Sequence, residues 1–286
     1  MSKPLAIVTG AASGIGLSLT RHLLLSGWRV AMADLNEEKG KALERELGPD
    51  VMFLKVDVAR YDQQAALFQS AFEWGGGRLD LLAANAGIDD RQSLYEGASD
   101  TLGPPPELNT DCIQVDMVAV LQGVWLLSHY ARRNKNPGAK VVITCSGAGI
   151  YPMETNPQYT MAKHGLIGLA RSAAPRFMME NVTINCILPG FVKTGLAPPE
   201  MVSRMPAEYV TPMSTVLRAY DMFLRESKMT GQAVEVSGEE LHFHSIPKYP
   251  DEISRWLHED AKKLWSEVYP PGEAPRPSSG AANGES

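Results

Sequence analysis

The sequence predicts an α/β fold, a doubly wound parallel sheet of about seven strands flanked by helices, and three observations carry that expectation. Short apolar runs alternate with longer segments whose apolar residues recur at helical spacing. The runs are continuously apolar, as strands covered on both faces require. A glycine-rich turn joins the first run to the first helical segment.

Taken in order, residues 5–9 read as a strand, 15–26 as a helix, 29–34 as a strand, 37–47 as a helix and 51–56 as a strand, a complete βαβαβ unit. A helix over 63–74, a strand over 79–85, a long helix over 111–134, a strand over 140–146, a helix over 159–180 and a strand over 183–188 continue the alternation. A helix over 213–227 and a short strand over 233–236 complete the sheet. Right-handed crossovers between such strands put helices on both faces and direct ligands to the carboxyl ends.

Two segments break the rhythm. Residues 89–110, with Pro104-Pro105-Pro106, are long for a strand-to-helix junction and read as a surface excursion at the rim of the site. Residues 194–212 are rich in Pro and Met, and 194–227 read as a substrate lid. The expected organisation is one domain over 1–250, an amphipathic helix over 251–268, and a disordered tail over 269–286, dense in Pro, Gly and Ser.

Composition narrows the class. A chain of 286 residues with 44% hydrophobic and 21% charged residues can bury a sizeable core as one unit. Its net charge of -6 gives no overall attraction to phosphate backbones or anionic lipid, which argues against a nucleic-acid partner. Cys112, Cys145 and Cys186 lack metal-ligand spacing and read as small apolar fillers in a reducing compartment. No metal is expected. The strand-like run that follows Pro4 leaves no room for a signal peptide, and no segment reads as a membrane span, so a cytoplasmic location is expected.

The turn Thr9-Gly10-Ala11-Ala12-Ser13-Gly14-Ile15-Gly16 lets backbone N–H groups and a helix N-terminus approach a pyrophosphate. Asp34 closes the second strand roughly 20 residues onward, where a carboxylate accepts hydrogen bonds from ribose hydroxyls. A 2′-phosphate would be repelled there, with no Arg or Lys at Ala12 or Leu35, so NAD is the expected cofactor. Asp34 could instead cap the following helix, a task Asn36 could also perform.

Tyr159 and Lys163 stand four residues apart at the head of a helix and project from one face. An ammonium held near a phenol stabilises phenolate and eases removal of an alcohol's proton. Ser146, ending the preceding strand, could donate to a substrate oxygen as charge develops on it.

The spacing T-G-x-x-x-G-x-G, with Ser146 thirteen positions before Tyr159, resembles the short-chain dehydrogenase/reductase family over roughly residues 4–238. The resemblance implies a Rossmann-type sheet with Gly10, Ser13, Gly14, Ile15 and Gly16 at the pyrophosphate and Asp34 with Leu35 at the ribose. It implies Asp57-Val58 at the adenine and Asn85-Ala86-Gly87 lining the cleft. In Pro189-Gly190-Phe191-Val192-Lys193-Thr194 it implies that Val192 and Thr194 anchor the carboxamide. Tyr159 is then the general acid/base, Lys163 lowers its pKa and holds the nicotinamide ribose, and Ser146 orients the substrate oxygen.

One position departs from the pattern. Within Gln114-Val115-Asp116-Met117, Asp116 stands where the family carries the Asn of a proton relay, which implies a working but altered relay unless Asp116 points elsewhere. His164 lies off the Tyr/Lys face and reads as structural. The stretches 159–165, 171–174 and 189–194 most resemble the NAD-dependent 15-hydroxyprostaglandin dehydrogenase-like members of the family. In those members a Gln three residues before the tyrosine contacts the substrate hydroxyl; Asn156 holds that place here.

Tyr151, Met153, Met201, Met205 and Met213 fall in or beside the two covering loops, and pliant apolar side chains suit a bulky lipid-like, steroid or terpenoid substrate. The expected reaction is hydride transfer between nicotinamide and a small hydrophobic secondary alcohol or ketone, in the oxidative direction. The same fold also serves isomerases, dehydratases, cyclases and catalytically weakened dinucleotide-binding proteins. Family habit implies a homodimer or homotetramer packed through 111–134 and 159–180.

Overall fold

The computed structural model describes residues 3–95 and 103–268. The tail expected at 269–286 and the middle of the 89–110 excursion lie outside them. The chain divides into two compact units between His244 and Ser245.

The strands are β1 (Leu5–Thr9), β2 (Arg29–Asp34), β3 (Val51–Lys55), β4 (Leu81–Ala84), β5 (Ala139–Thr144), β6 (Val182–Pro189), β7 (Ala233–Ser237) and β8 (Glu240–Phe243). They form one eight-stranded sheet in the order β3-β2-β1-β4-β5-β6-β7-β8. All neighbours are parallel except β7 and β8, an antiparallel hairpin with Val234 opposite Phe243. The eighth strand was not expected from the sequence. Gly238, at φ 54, makes the tight turn between β7 and β8.

The helices of the first unit are α1 (Gly14–Leu25), α2 (Glu37–Leu47), α3 (Tyr61–Trp74), α4 (Asp111–Ala131), α5 (Pro157–Met178), α6 (Pro199–Arg204) and α7 (Met213–Arg225). Leu19, Leu23, Leu43, Tyr220 and Phe223 bring α1, α2 and α7 against one face of the sheet. Leu67, Phe68, Val124, Leu127, Leu166 and Ala170 bring α3, α4 and α5 against the other. Burial of both faces explains why the strands are continuously apolar.

Several boundaries shift for local reasons. The helix expected to reach residue 134 stops at Ala131, because buried Asn134 turns its side chain to the backbone of Leu79 and Gly138. The helix expected over 159–180 begins two residues early at Pro157, whose ring suits a first helical position, and ends at Met178. By length and hydropathy α4 could cross a membrane, which the sequence reading did not anticipate, yet half of its apolar window is buried within the protein.

In the second unit the helix expected over 251–268 is two, α8 (Glu252–His258) and α9 (Lys262–Val268). Arg255 draws Glu252, Glu259 and Asp260 together at the break. Trp256, Leu257, Leu264, Trp265 and Val268 line one apolar pocket around Ala261, so amphipathicity survives the kink.

Beneath the carboxyl ends of the strands, the Thr144 hydroxyl shares a 2.7 Å hydrogen bond with buried Tyr220. Tyr220→Phe should lower stability by about 1 kcal/mol in urea denaturation, the worth of one buried hydrogen bond, with the slope unchanged.

Candidate active site

The glycine turn is shaped by contacts that only glycine permits. Gly10 and Gly14 have φ of 65 and 51. A Cβ at Gly10 would lie 3.0 Å from the Ala86 backbone, and one at Gly14 would lie 3.1 Å from the Thr194 side chain. At Gly16 a Cβ would meet the Gly10 carbonyl oxygen at 2.2 Å. Ser13 occupies the N-cap of α1 without a side-chain capping bond, and the first turn holds no acidic residue. The helix therefore presents uncapped N–H donors and Ile15 at the mouth of a glycine cradle, which fits a pyrophosphate.

Asp34 ties this cradle to β2. Its Oδ2 accepts from the Ala12 amide and its Oδ1 from the Asn36 amide, each at 2.9 Å. Asn36 itself caps α2 by accepting from Lys39 N at 3.0 Å. Asp34 is thus free of the capping task, and each of its oxygens keeps acceptor capacity beside exposed Leu35. Asp57 makes its own turn, accepting from Ala59 N, while the Gln64 amide donates to the Val58 and Ala119 carbonyls and joins that loop to α4.

Asn85 fastens three strand ends together. Its side-chain amide donates to Thr9 O at 2.9 Å, and its Oδ1 accepts from the Thr144 hydroxyl at 3.0 Å. The Thr9 hydroxyl accepts from the amides of Asn85 and Ala86 at 2.9 and 3.0 Å. From the sequence Thr9 stood only as the first residue of the glycine motif, and Thr144 was not singled out. Each is one residue among many in an apolar strand, and only the alignment of β1, β4 and β5 reveals the pair.

The second wall comes from β6. Pro189 ends that strand, and Gly190 N donates to Val236 O at 2.8 Å. Val192 packs on the core beneath α1, and the Thr194 side chain rests against Gly14. The sequence-predicted cofactor residues of 10–16 and 189–194 therefore meet in one cleft.

Ser146, Tyr159, Lys163 and Asp116 also converge. Tyr159 is 7% exposed, Lys163 3% and Asp116 0%. Lys163 Nζ lies 2.8 Å from Asp116 Oδ2, 3.3 Å from Thr144 O and 5.1 Å from the centre of the Tyr159 ring. The Lys163–Asp116 contact is an ion pair set off hydrogen-bond angles, so Oδ2 has no well-formed hydrogen bond. Asp116 Oδ1 accepts from Ile88 N at 2.8 Å. A π-helical turn, Gln114–Val118, carries Asp116 in α4, a distortion that recurs at functional sites. Gly87 leaves space for it, since a Cβ there would come within 2.8 Å of Asp116 Oδ2. Ser146 heads a short 3₁₀ turn and accepts from Ala148 N.

Electrostatics modify one expectation. Burial pushes the Tyr159 hydroxyl above its ordinary range; Lys163 and a hydrogen bond from Ser146 pull it back, and Asp116 opposes them. The net direction is upward, so Lys163 offsets the effect of burial without acidifying the phenol outright. For Lys163, burial alone would depress the ammonium, but Asp116 and Tyr159 reverse this and hold it above the ordinary lysine value.

The expected substrate residues are more dispersed. Exposed Tyr151 donates from its hydroxyl to Glu235 at 3.1 Å and lies edge-on to His244, whose Nε2 is 2.7 Å from the same carboxylate. Asn156 sits at the head of α5, and its Oδ1 accepts from the Thr155 hydroxyl at 2.6 Å. Met153 and Met201 are exposed, and Met205 is half-buried at the end of α6.

The chain is similar to known dehydrogenases and reductases. Residues 4–202 match the family model described as short chain dehydrogenase. The chain is 37% identical over 260 residues to the short-chain dehydrogenase/reductase prx6 of Penicillium rubens, covering 85% of this chain and 86% of that protein. It is 36% identical over 197 residues to the NAD(+) 15-hydroxyprostaglandin dehydrogenase of Rattus norvegicus, covering 66% and 68% respectively. The fold matches a 3-ketoacyl-(acyl-carrier-protein) reductase from Brucella melitensis complexed with NADH, at a TM-score of 0.69 and 19% identity, over 82% of this chain and 97% of that one.

Asp116→Asn should shift the whole profile of kcat/KM against pH toward lower pH. The change removes an anion that raises Tyr159 and one that holds Lys163 charged against burial. An unchanged rate and profile would exclude Asp116 from the reaction. On its family match and its relatives, the chain belongs to the short chain dehydrogenase family.

Proposed function

We propose that the protein is an NAD-dependent oxidoreductase that oxidises a secondary alcohol of a hydrophobic, lipid-like, steroid or terpenoid substrate to its ketone. The observation that carries this reading is the convergence of Ser146, Tyr159 and the Asp116–Lys163 pair at the carboxyl ends of β4 and β5, beside the glycine cradle.

Gly10, Ser13, Gly14, Ile15 and Gly16 would hold a pyrophosphate, Asp34 and Leu35 a ribose, and Asp57 and Val58 an adenine. Asn85, Ala86, Gly87, Pro189, Gly190, Val192 and Thr194 would enclose the nicotinamide end, with Tyr159 and Lys163 at its ribose. When bound there, an oxidised nicotinamide dinucleotide would supply the hydride acceptor and a positive charge. Tyr159, as phenolate, takes the proton of the alcohol and becomes phenol. Lys163 stabilises the phenolate before that transfer, and Asp116 keeps Lys163 charged while it does so. Ser146 donates to the substrate oxygen and holds the carbinol in line.

Support for NAD over NADP comes from Asp34, whose carboxylate is fixed by two backbone amides and repels a 2′-phosphate. The NAD(+) 15-hydroxyprostaglandin dehydrogenases among the relatives point the same way. Exposed Leu121 and Trp125 on α4 and Met161 on α5 support a homodimer or homotetramer packed through these helices. Free, buried Cys112, Cys145 and Cys186 support a reducing, cytoplasmic setting.

Purified protein incubated with NAD+ and a panel of hydrophobic secondary alcohols should produce NADH absorbance. Tyr159→Phe should cut kcat by about 10²- to 10⁴-fold, the usual worth of a general base. A panel without turnover would overturn the reading. Asp34→Ser should narrow the preference for NAD over NADP by at least about tenfold, scored by the ratio of kcat/KM values, because the charge that rejects a 2′-phosphate is gone.

A further inference from the structure

We propose that Asp90 is a positioning residue for Tyr159: from a separate loop its carboxylate caps α5 and fixes where the phenol stands. The proposal rests on the dehydrogenase reading above.

The sequence of α5 leaves its own N-terminus unattended. Asn156, at the N-cap, makes no side-chain capping bond, and the first turn contains no acidic residue. The first amides of a helix have no partners within it. Here two of them are satisfied from far along the chain: Asp90 Oδ2 accepts from Gln158 N at 3.0 Å, and Asp90 Oδ1 accepts from Tyr159 N at 2.7 Å. One of the two donors is the backbone of the residue assigned as general base. A carboxylate at a helix N-terminus is also favoured by the dipole.

The same loop reaches the other parts of the site. Asn85 binds the end of β1, and Ile88 N donates to the carboxylate that pairs with Lys163. The Cys112 thiol, at the start of α4, bonds to Ile88 O. Lys163, one turn further along α5, is therefore located through Asp116, while Tyr159 is located through Asp90, and both constraints come from one short span. Without Asp90 the first turn of α5 loses its only carboxylate cap among the described residues, and Tyr159 moves relative to Lys163. An error near 1 Å between reacting groups can cost about 10²-fold in rate.

Asp90→Ala and Asp90→Asn in the full chain test this. Asp90→Ala should lower kcat by roughly ten- to a hundredfold while KM for NAD+ rises far less, since Asp90 does not touch the glycine cradle and Tyr159 is one of several groups at the nicotinamide end. Asp90→Asn, which retains one acceptor oxygen, should recover most of that loss. Unchanged kcat in Asp90→Ala, an Asn variant no better than Ala, or a rise in KM for NAD+ matching the fall in kcat would each overturn the proposal.

Should the unaltered protein oxidise no alcohol, the dehydrogenase reading fails by itself. The ring resonance of Tyr159, assigned by its absence in Tyr159→Phe, then decides the role of Asp90. It should shift or broaden in Asp90→Ala and return in Asp90→Asn, and a resonance that does not move refutes the positioning role.

Discussion

The ion pair between Asp116 and Lys163 is the constraint on which the site depends. Taking an ammonium and a carboxylate out of water costs several kcal/mol each, and their attraction offsets this only when the remaining polar atoms are also served. The structure meets that condition in part, with the Ile88 amide on one carboxylate oxygen and the Thr144 carbonyl facing the ammonium, while Asp116 Oδ2 has the ammonium alone. Removing either partner would strand a charge between α4 and α5. The widened turn of α4, the space left by Gly87 and the position of the loop after β4 all serve to bring these two groups to 2.8 Å.

This pair also sets the character of the phenol. Asp116 keeps Lys163 charged, but its own charge opposes ionisation of Tyr159, so the two influences of one carboxylate run in opposite directions. The balance at Tyr159 in the free chain therefore lies upward, and the positive charge of an oxidised nicotinamide cofactor would complement what Lys163 and Ser146 supply.

The sequence made some parts of this arrangement legible and concealed others. Gly10, Gly14, Gly16 and Asp34 were readable because their signal is local: a tight turn between a strand and a helix, and a carboxylate at the next strand's end. Tyr159 and Lys163 were readable because helical spacing places them on one face. Asp90 gave no such signal, since its partners lie nearly seventy residues away and are backbone amides that every residue possesses. Thr9, Thr144 and Asn85 meet only once three strands align. The upward shift of Tyr159 depends on burial, which no spacing rule reports. β8 escaped notice because its alternation, Leu241 and Phe243 against Glu240 and His242, spans only four residues, and the kink between α8 and α9 depends on side-chain pairing around Arg255.

The hairpin formed by β7 and β8 alters the border of the sheet. A parallel sheet ending at β7 would leave the outer backbone amides and carbonyls of that strand open to any chain able to hydrogen-bond alongside. β8 occupies them along the register from Val234–Phe243 to Ser237–Glu240. The new border is only four residues long, and its brevity together with Glu240 and His242 limits edge-to-edge pairing even though Phe243 is exposed. Glu235 of β7 accepts from the Tyr151 hydroxyl and lies 2.7 Å from Nε2 of His244, just past β8, so the hairpin that closes the sheet also tethers the loop following Ser146.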